Sequence, residues 1–156
     1  MTLKPGDKAP DFTLYSSDKQ PVTLSDYHGS NVVLLFFPLA FSGACTTELC
    51  SMRDDIASYE GLNAQVLAVS IDSPHTLNKF KEEQRFNFPL LSDFNKEVSK
   101  AYGAQYDVFV LGMKGVAKRS AFVIDQDGII RYTEVLETSS DLPNFEAVKE
   151  TLQQLS

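Results

Sequence analysis

A chain of 156 residues with 43% hydrophobic and 22% charged residues has the balance of one soluble globular domain, expected to span residues 1–156. Its net charge of −7 and the lack of a Lys/Arg-rich stripe argue against nucleic acid, and its longest apolar run, Val32 to Phe41, is too short to span a bilayer. The N-terminus carries no apolar signal region, so the expected location is cytoplasmic; two cysteines there are catalytic, redox-active or core residues rather than a disulfide scaffold.

Asp11-Phe12-Thr13-Leu14-Tyr15 alternates as a strand does, Ser16 to Pro21 reads as a turn, and Val22-Thr23-Leu24 alternates again. Val32 to Phe37 is continuously apolar, which predicts a central strand buried on both faces. A helix is expected from about Ser42 to Tyr59, with Cys45, Leu49, Met52, Ile56 and Tyr59 on its apolar stripe. Gln65 to Ile71 predicts a second buried strand, and Pro74 opens a helix running to about Gln84. Phe88 to Leu91 is a short extended piece, and Asn95 to Tyr102 a short helix ended by Gly103. Ser120–Asp125 and Ile129–Glu134 flank the turn sequence Asp125-Gln126-Asp127-Gly128, a hairpin signal. Phe145 to Leu155 closes the chain as an amphipathic helix. Strands alternating with helices, then a late hairpin, predict an α/β fold with a mixed central sheet flanked by helices and an N-terminal β extension.

The most informative segment joins the first buried strand to the helix after it. With Ser42 as N-cap, Cys45 occupies the third helical position, where a capping box would carry Glu. The first-turn N–H groups have no helical partners and carry the positive end of the helix dipole, which favours a thiolate. The Ser42 hydroxyl can donate to the sulfur or to a bound oxygen. The same cysteine also suits a core position at the head of the apolar stripe, and the helix start alone does not choose between the two.

Pro38-x-x-x-Ser42-x-x-Cys45 resembles the signature of the peroxiredoxins: Pro, then Thr or Ser, then the peroxide-reactive Cys. Ala9-Pro10-Asp11-Phe12, Cys45-Thr46-Thr47-Glu48, Phe88-Pro89-Leu90-Leu91-Ser92-Asp93 and Arg119-Ser120-Ala121-Phe122-Val123-Ile124-Asp125 resemble four further stretches of that family, in order along the chain. The resemblance implies a thioredoxin-like fold and a thiol peroxidase acting on hydrogen peroxide and organic hydroperoxides. By the same resemblance Arg119 is the active-site cation, Pro38 shields the sulfur, Ser42 holds an oxygen, and Glu48 orients Arg119. The reductant implied is a thioredoxin- or glutaredoxin-like protein, and the assembly a homodimer near the active site, to which Phe41, Tyr106 and Phe109 could contribute. The Leu39-Ala40-Phe41 loop is similar to the one-cysteine, AhpE-like branch, whereas Cys50 is similar to the resolving cysteine of the PrxQ branch.

Geometry constrains that second cysteine. In an intact helix, residues five apart lie roughly 8–9 Å apart at Cα and point about 140° away from each other. A disulfide needs a Cα separation below about 7 Å. If Cys50 resolves the sulfenic acid of Cys45, the first turns of the helix must unwind; Gly43 and the β-branched pair Thr46-Thr47 suit a weak turn. Otherwise an external thiol completes a one-cysteine cycle. A thioredoxin-like disulfide oxidoreductase is disfavoured by the absence of Cys-x-x-Cys, and a non-enzymatic redox sensor remains open. His28 and His75 have no metal-ligand spacing, and no GxGxxG or P-loop indicates a nucleotide, so neither metal nor cofactor is expected. Arg53 is expected to support the active site, the alternative being a surface pair with Asp54 or Glu48. Asp72 and Asp93 are local turn-formers.

Overall fold

The computed structural model describes residues 2–155. Its strands are β1 (Thr13–Ser16), β2 (Pro21–Thr23), β3 (Asn31–Phe36), β4 (Ala64–Ser70), β5 (Leu90–Ser92), β6 (Ser120–Ile124) and β7 (Ile130–Val135). They form one seven-stranded sheet in the order β2-β1-β5-β4-β3-β6-β7. β3, β4 and β5 run parallel, while β6 and β7 continue the sheet antiparallel on one side and the β1–β2 hairpin closes it on the other. The mixed sheet and the N-terminal β extension are those expected from the sequence.

The helices are α1 (Gly43–Asp54), α2 (Ile56–Glu60), α3 (Pro74–Gln84), α4 (Glu97–Ala101) and α5 (Phe145–Leu155). β3 explains why both sheet faces are covered. Val33 and Leu35, with Phe37 just beyond the strand, point into a core shared with Cys45, Leu49 and Met52 of α1, Phe80 of α3 and Val148 and Leu152 of α5. Val32, Leu34 and Phe36 point the other way, against Leu67, Leu91, Tyr102 and Phe122. Because successive side chains of a strand alternate in face, a strand buried on both must be apolar throughout. Each fully buried aliphatic side chain contributes about 1.5–3 kcal/mol, and Leu35→Ala would cost about 2–5 kcal/mol.

Two helices differ from expectation. The single helix foreseen from Ser42 to Tyr59 is broken at Asp55, whose backbone (φ −112, ψ 9) leaves the helical region. Asp55 competes with helix continuation: its carboxylate accepts a 2.7 Å hydrogen bond from the Ser58 hydroxyl and pairs with Lys149 of α5. The buried stripe survives the break, with Cys45, Leu49, Met52 and Tyr59 all buried and Ile56 partly so. α4 is shorter than foreseen because Lys96 sits at φ 64, outside the helix. The buried Asp93 carboxylate takes the free N–H groups of Val98 and Ser99 at 3.1 and 2.8 Å. Asp125 shapes the β6–β7 turn by accepting from the N–H groups of Asp127 and Ile129, and Gly128 supplies the positive φ of 81 there.

Candidate active site

The segment between β3 and α1 lies at the carboxyl ends of the parallel strands, where open α/β sheets form their crevices. Phe37 still donates to the Val69 carbonyl of β4 (2.9 Å) before the buried Pro38 ends the ladder. The loop is then pinned by Asp72, at the end of β4, which accepts from the Ala40 N–H at 2.8 Å and from the Ser70 hydroxyl at 2.7 Å. Phe41 holds a left-handed conformation (φ 69), which costs a non-glycine residue of order 1–3 kcal/mol. Its ring lies 4.9 Å from that of Phe80, an aromatic contact that offsets part of this cost.

Ser42 takes the N-cap position with extended backbone (φ −76, ψ 151), so Cys45 is third in the helix. Its hydroxyl departs from expectation: it makes no cap bond and does not reach the sulfur, but donates to the Leu39 carbonyl at 2.9 Å. The preceding loop turns back on itself there, the Ser42 N–H also donating to the Leu39 carbonyl at 3.5 Å.

Arg119 directly precedes β6, and β6 pairs with β3 so that Ser120 lies opposite Phe36. This register carries Arg119 to the place where the chain leaves β3 for Cys45. Nη2 donates to Cys45 Sγ at 3.2 Å and Nη1 to Glu48 Oε1 at 2.6 Å. Nε and Nη2 both donate to the Ser139 carbonyl, at 3.1 and 2.8 Å. The guanidinium fork is thereby fixed in one plane, a constraint that lysine's single ammonium could not meet. Cys45 and Glu48 are 0% exposed and Arg119 1%. Burial works against the charge of Arg119, but Glu48 and Cys45 together hold its pKa above the ordinary value. Burial pushes the Glu48 carboxyl up to about 7, although Arg119 pulls the other way. Glu48 Oε2 has no hydrogen-bond partner among the described residues.

A cavity of about 280 Å³ opens beside this cluster, lined by Pro38, Ser42, Ala44, Val110, Met113 and Arg119 among others. Arg119 and Ser42 line this cavity, whereas Cys45, fully buried, does not. Cys50, on the far side of α1, is half-buried and donates to Gln84 Oε1 at 3.4 Å. Both cysteines are free thiols. Arg53 pairs with Asp54 (3.0 Å) and donates to the Gln84 carbonyl (2.5 Å), away from Cys45. Pro38, Ser42, Cys45, Glu48 and Arg119 are thus brought to one place and Cys50 is held outside it.

Two contributors escape a reading of the sequence. The Ser139 carbonyl could not be foreseen, since any residue offers the same acceptor. Asp72 reads there as a turn-former, yet its place at the end of a parallel strand is an available signal. His28 and His75 are exposed, and among the described residues no group of three His, Cys, Asp or Glu is placed to hold a metal. No described helix is long and apolar enough to cross a membrane.

Comparison with known proteins gives the same direction from an independent source. The model of the AhpC/TSA family matches residues 5–133. Alkyl hydroperoxide reductase E of Mycobacterium tuberculosis is 43% identical over 136 residues, covering 85% of this chain and 86% of that protein. Peroxiredoxin Bcp of Escherichia coli is 36% identical over 132 residues, covering 83% and 84%. Peroxidoxin BcpB of M. tuberculosis superposes with a TM-score of 0.88 at 32% identity over 99% of both chains. A cysteine-to-serine mutant of Xylella fastidiosa PrxQ does so at 0.87 and 27% over 99% and 98%. Family match, sequence identity and whole-chain superposition therefore agree on the thioredoxin-like fold, and this chain belongs to the AhpC/TSA family of peroxiredoxins, thiol-dependent peroxidases.

Proposed function

We propose that Cys45 is the sulfur that reduces the peroxide. The observation that carries this reading is Arg119 Nη2 held 3.2 Å from Cys45 Sγ, both buried at the start of α1. The thiolate attacks one peroxide oxygen in line. The O–O bond breaks, its electron pair leaves with the second oxygen, and Cys45 becomes a sulfenic acid while water or an alcohol is released. Negative charge moves from sulfur towards the leaving oxygen during this step. Arg119 and the first-turn amides of α1, fixed before the reaction, stabilise that displaced charge more than the ground state. Ser42 lines the cavity, and a rotation of its hydroxyl off the Leu39 carbonyl gives the entering oxygen a donor. Pro38 contributes no N–H and shields the sulfur from water.

The substrates are hydrogen peroxide and organic hydroperoxides; the name alkyl hydroperoxide reductase E of a relative and the apolar cavity residues Val110 and Met113 support the second class. Cys50 resolves the sulfenic acid as an intramolecular disulfide, which a thioredoxin- or glutaredoxin-like protein then reduces. Because α1 runs unbroken through both residues, this step requires its first turns to unwind. A one-cysteine cycle with an external thiol is the competing reading, favoured by the position of Cys50 against Gln84 on the far side of the helix. A cytoplasmic setting suits two free thiols that must be returned to the reduced state. A homodimer would cover Phe41 (48% exposed) and the loop residues Val108, Val110 and Leu111 (61%, 59% and 94%) near the cavity mouth. Tyr106 and Phe109, foreseen as part of that surface, are half-buried and stack on each other at 4.7 Å.

Peroxide-dependent consumption of a thiol reductant tests the assignment. It should vanish in Cys45→Ser and persist in Cys50→Ser with an external thiol; undiminished turnover in Cys45→Ser would overturn it.

A further inference from the structure

The proposed chemistry leaves one buried group without a task beyond holding Arg119. Glu48 lies one turn beyond Cys45 on the same face of α1, and the two acids accept from different nitrogens of one guanidinium. All three side chains are sealed from solvent. Arg119 can neutralise one anion, so ionising both acids would leave a net negative charge in a dry cluster, which is costly. Glu48 Oε2, fully buried and without a partner among the described residues, is also better matched by a hydroxyl than by a carboxylate oxygen. Among the charged groups on neighbouring elements, Lys149 pairs with Asp55, Lys118 with Glu137, and Glu134 accepts from the Tyr132 hydroxyl and the Asn144 N–H.

We propose that Glu48 stores the proton of the peroxidase cycle, being a carboxylic acid while Cys45 is a thiolate and a carboxylate while Cys45 is a sulfenic acid. This rests on the reading of Cys45 given above. In the oxidation step the Cys45 thiolate, the hydroperoxide and the Glu48 carboxylic acid become the Cys45 sulfenic acid, an alcohol or water, and the Glu48 carboxylate. The S–O bond forms, the O–O bond breaks, and the proton of Glu48 goes to the leaving oxygen. When two reductant thiols return Cys45 to a thiol with release of water and a disulfide, Glu48 takes the Cys45 proton back. The cluster of Cys45, Arg119 and Glu48 stays neutral at each stage, with Arg119 always paired to one anion. The upward displacement of the Glu48 pKa by burial accords with this.

Proton stoichiometry distinguishes this role from a purely structural one. In a Cys50→Ser background, which halts the cycle at the sulfenic acid, one equivalent of hydrogen peroxide is added in weakly buffered solution just below neutral pH. A dye indicator counts the protons exchanged. The protein with Glu48 should exchange no net proton, whereas Glu48→Gln should take up one from solvent for each Cys45 oxidised. Equal counts in the two proteins would overturn the proposal. Should the Gln variant fail to fold, infrared difference spectra of the Glu48 protein decide the matter. The carbonyl stretch of a protonated carboxylic acid should be lost on oxidation, and its persistence or its absence from the reduced protein would overturn the proposal. Intact mass on the same samples separates the two readings. An oxygen gained on Cys45 without the proton difference refutes the Glu48 role alone, whereas no oxygen on Cys45 refutes both.

Discussion

Replacing Arg119 by Met keeps much of the buried stem and removes the fork that donates to Cys45, Glu48 and the Ser139 carbonyl. Loss of a fixed donor to charge that develops in a transition state costs about 10²–10³ in rate, about 3–4 kcal/mol. The same substitution strips Glu48 of its partner, and an unpaired buried charge would cost about 3–5 kcal/mol of stability. Glu48 has an escape, because burial already raises its pKa to about 7. On the proposal above it is already a carboxylic acid in the reduced protein, so no unpaired carboxylate is left and the stability cost should fall to roughly 1–2 kcal/mol, that of an imperfectly satisfied neutral group. Arg119→Met should therefore be folded, slightly less stable and about 10²–10³ slower. The rate is read by timed exposure to peroxide, alkylation of the remaining Cys45 thiol and mass analysis, with urea unfolding of the same sample. A rate constant within about threefold of the wild type would refute the electrostatic role of Arg119.

Glu48 should also mark the pH dependence of stability in the reduced protein. Its pKa is higher folded (about 7) than unfolded (4.5), so between these values the folded chain binds more protons and its stability falls as pH rises. Relative to Glu48→Gln, wild-type unfolding free energy should decline by up to about 3 kcal/mol across that window; a rise would contradict the sign. Gly43→Ala fits without contact within 4 Å and should stiffen the first turn of α1 by about 0.5 kcal/mol. Formation of a Cys45–Cys50 disulfide should slow about twofold, and faster formation would count against unwinding as its route. Asp72→Ala frees the Ala40 N–H and should cost about 1–3 kcal/mol in urea unfolding together with loss of peroxidase rate; full activity would show that the loop needs no pin.

What could be read from the sequence follows from which interactions depend on residue type. β3 was legible because burial on both faces demands an unbroken apolar run, and the α1 stripe because Cys45, Leu49 and Met52 recur at helical spacing. The break at Asp55 was not, since it depends on Ser58 and on Lys149 from the far end of the chain. Arg119 and Glu48 came from the family resemblance; periodicity alone cannot bring an arginine 74 residues away against Cys45, which the β3–β6 register does. The Ser42 position was legible, but its hydroxyl direction is a rotamer choice between nearby acceptors.

The most direct test of the account is intact mass and free-thiol count after one equivalent of hydrogen peroxide, in the wild type and in Cys50→Ser. The wild type should lose two hydrogens and both thiols, while Cys50→Ser should gain one oxygen on Cys45. A wild type that carries an oxygen on Cys45 with Cys50 still free would contradict the internal disulfide. An unmodified Cys45 in both proteins would contradict its assignment as the peroxide-reactive sulfur.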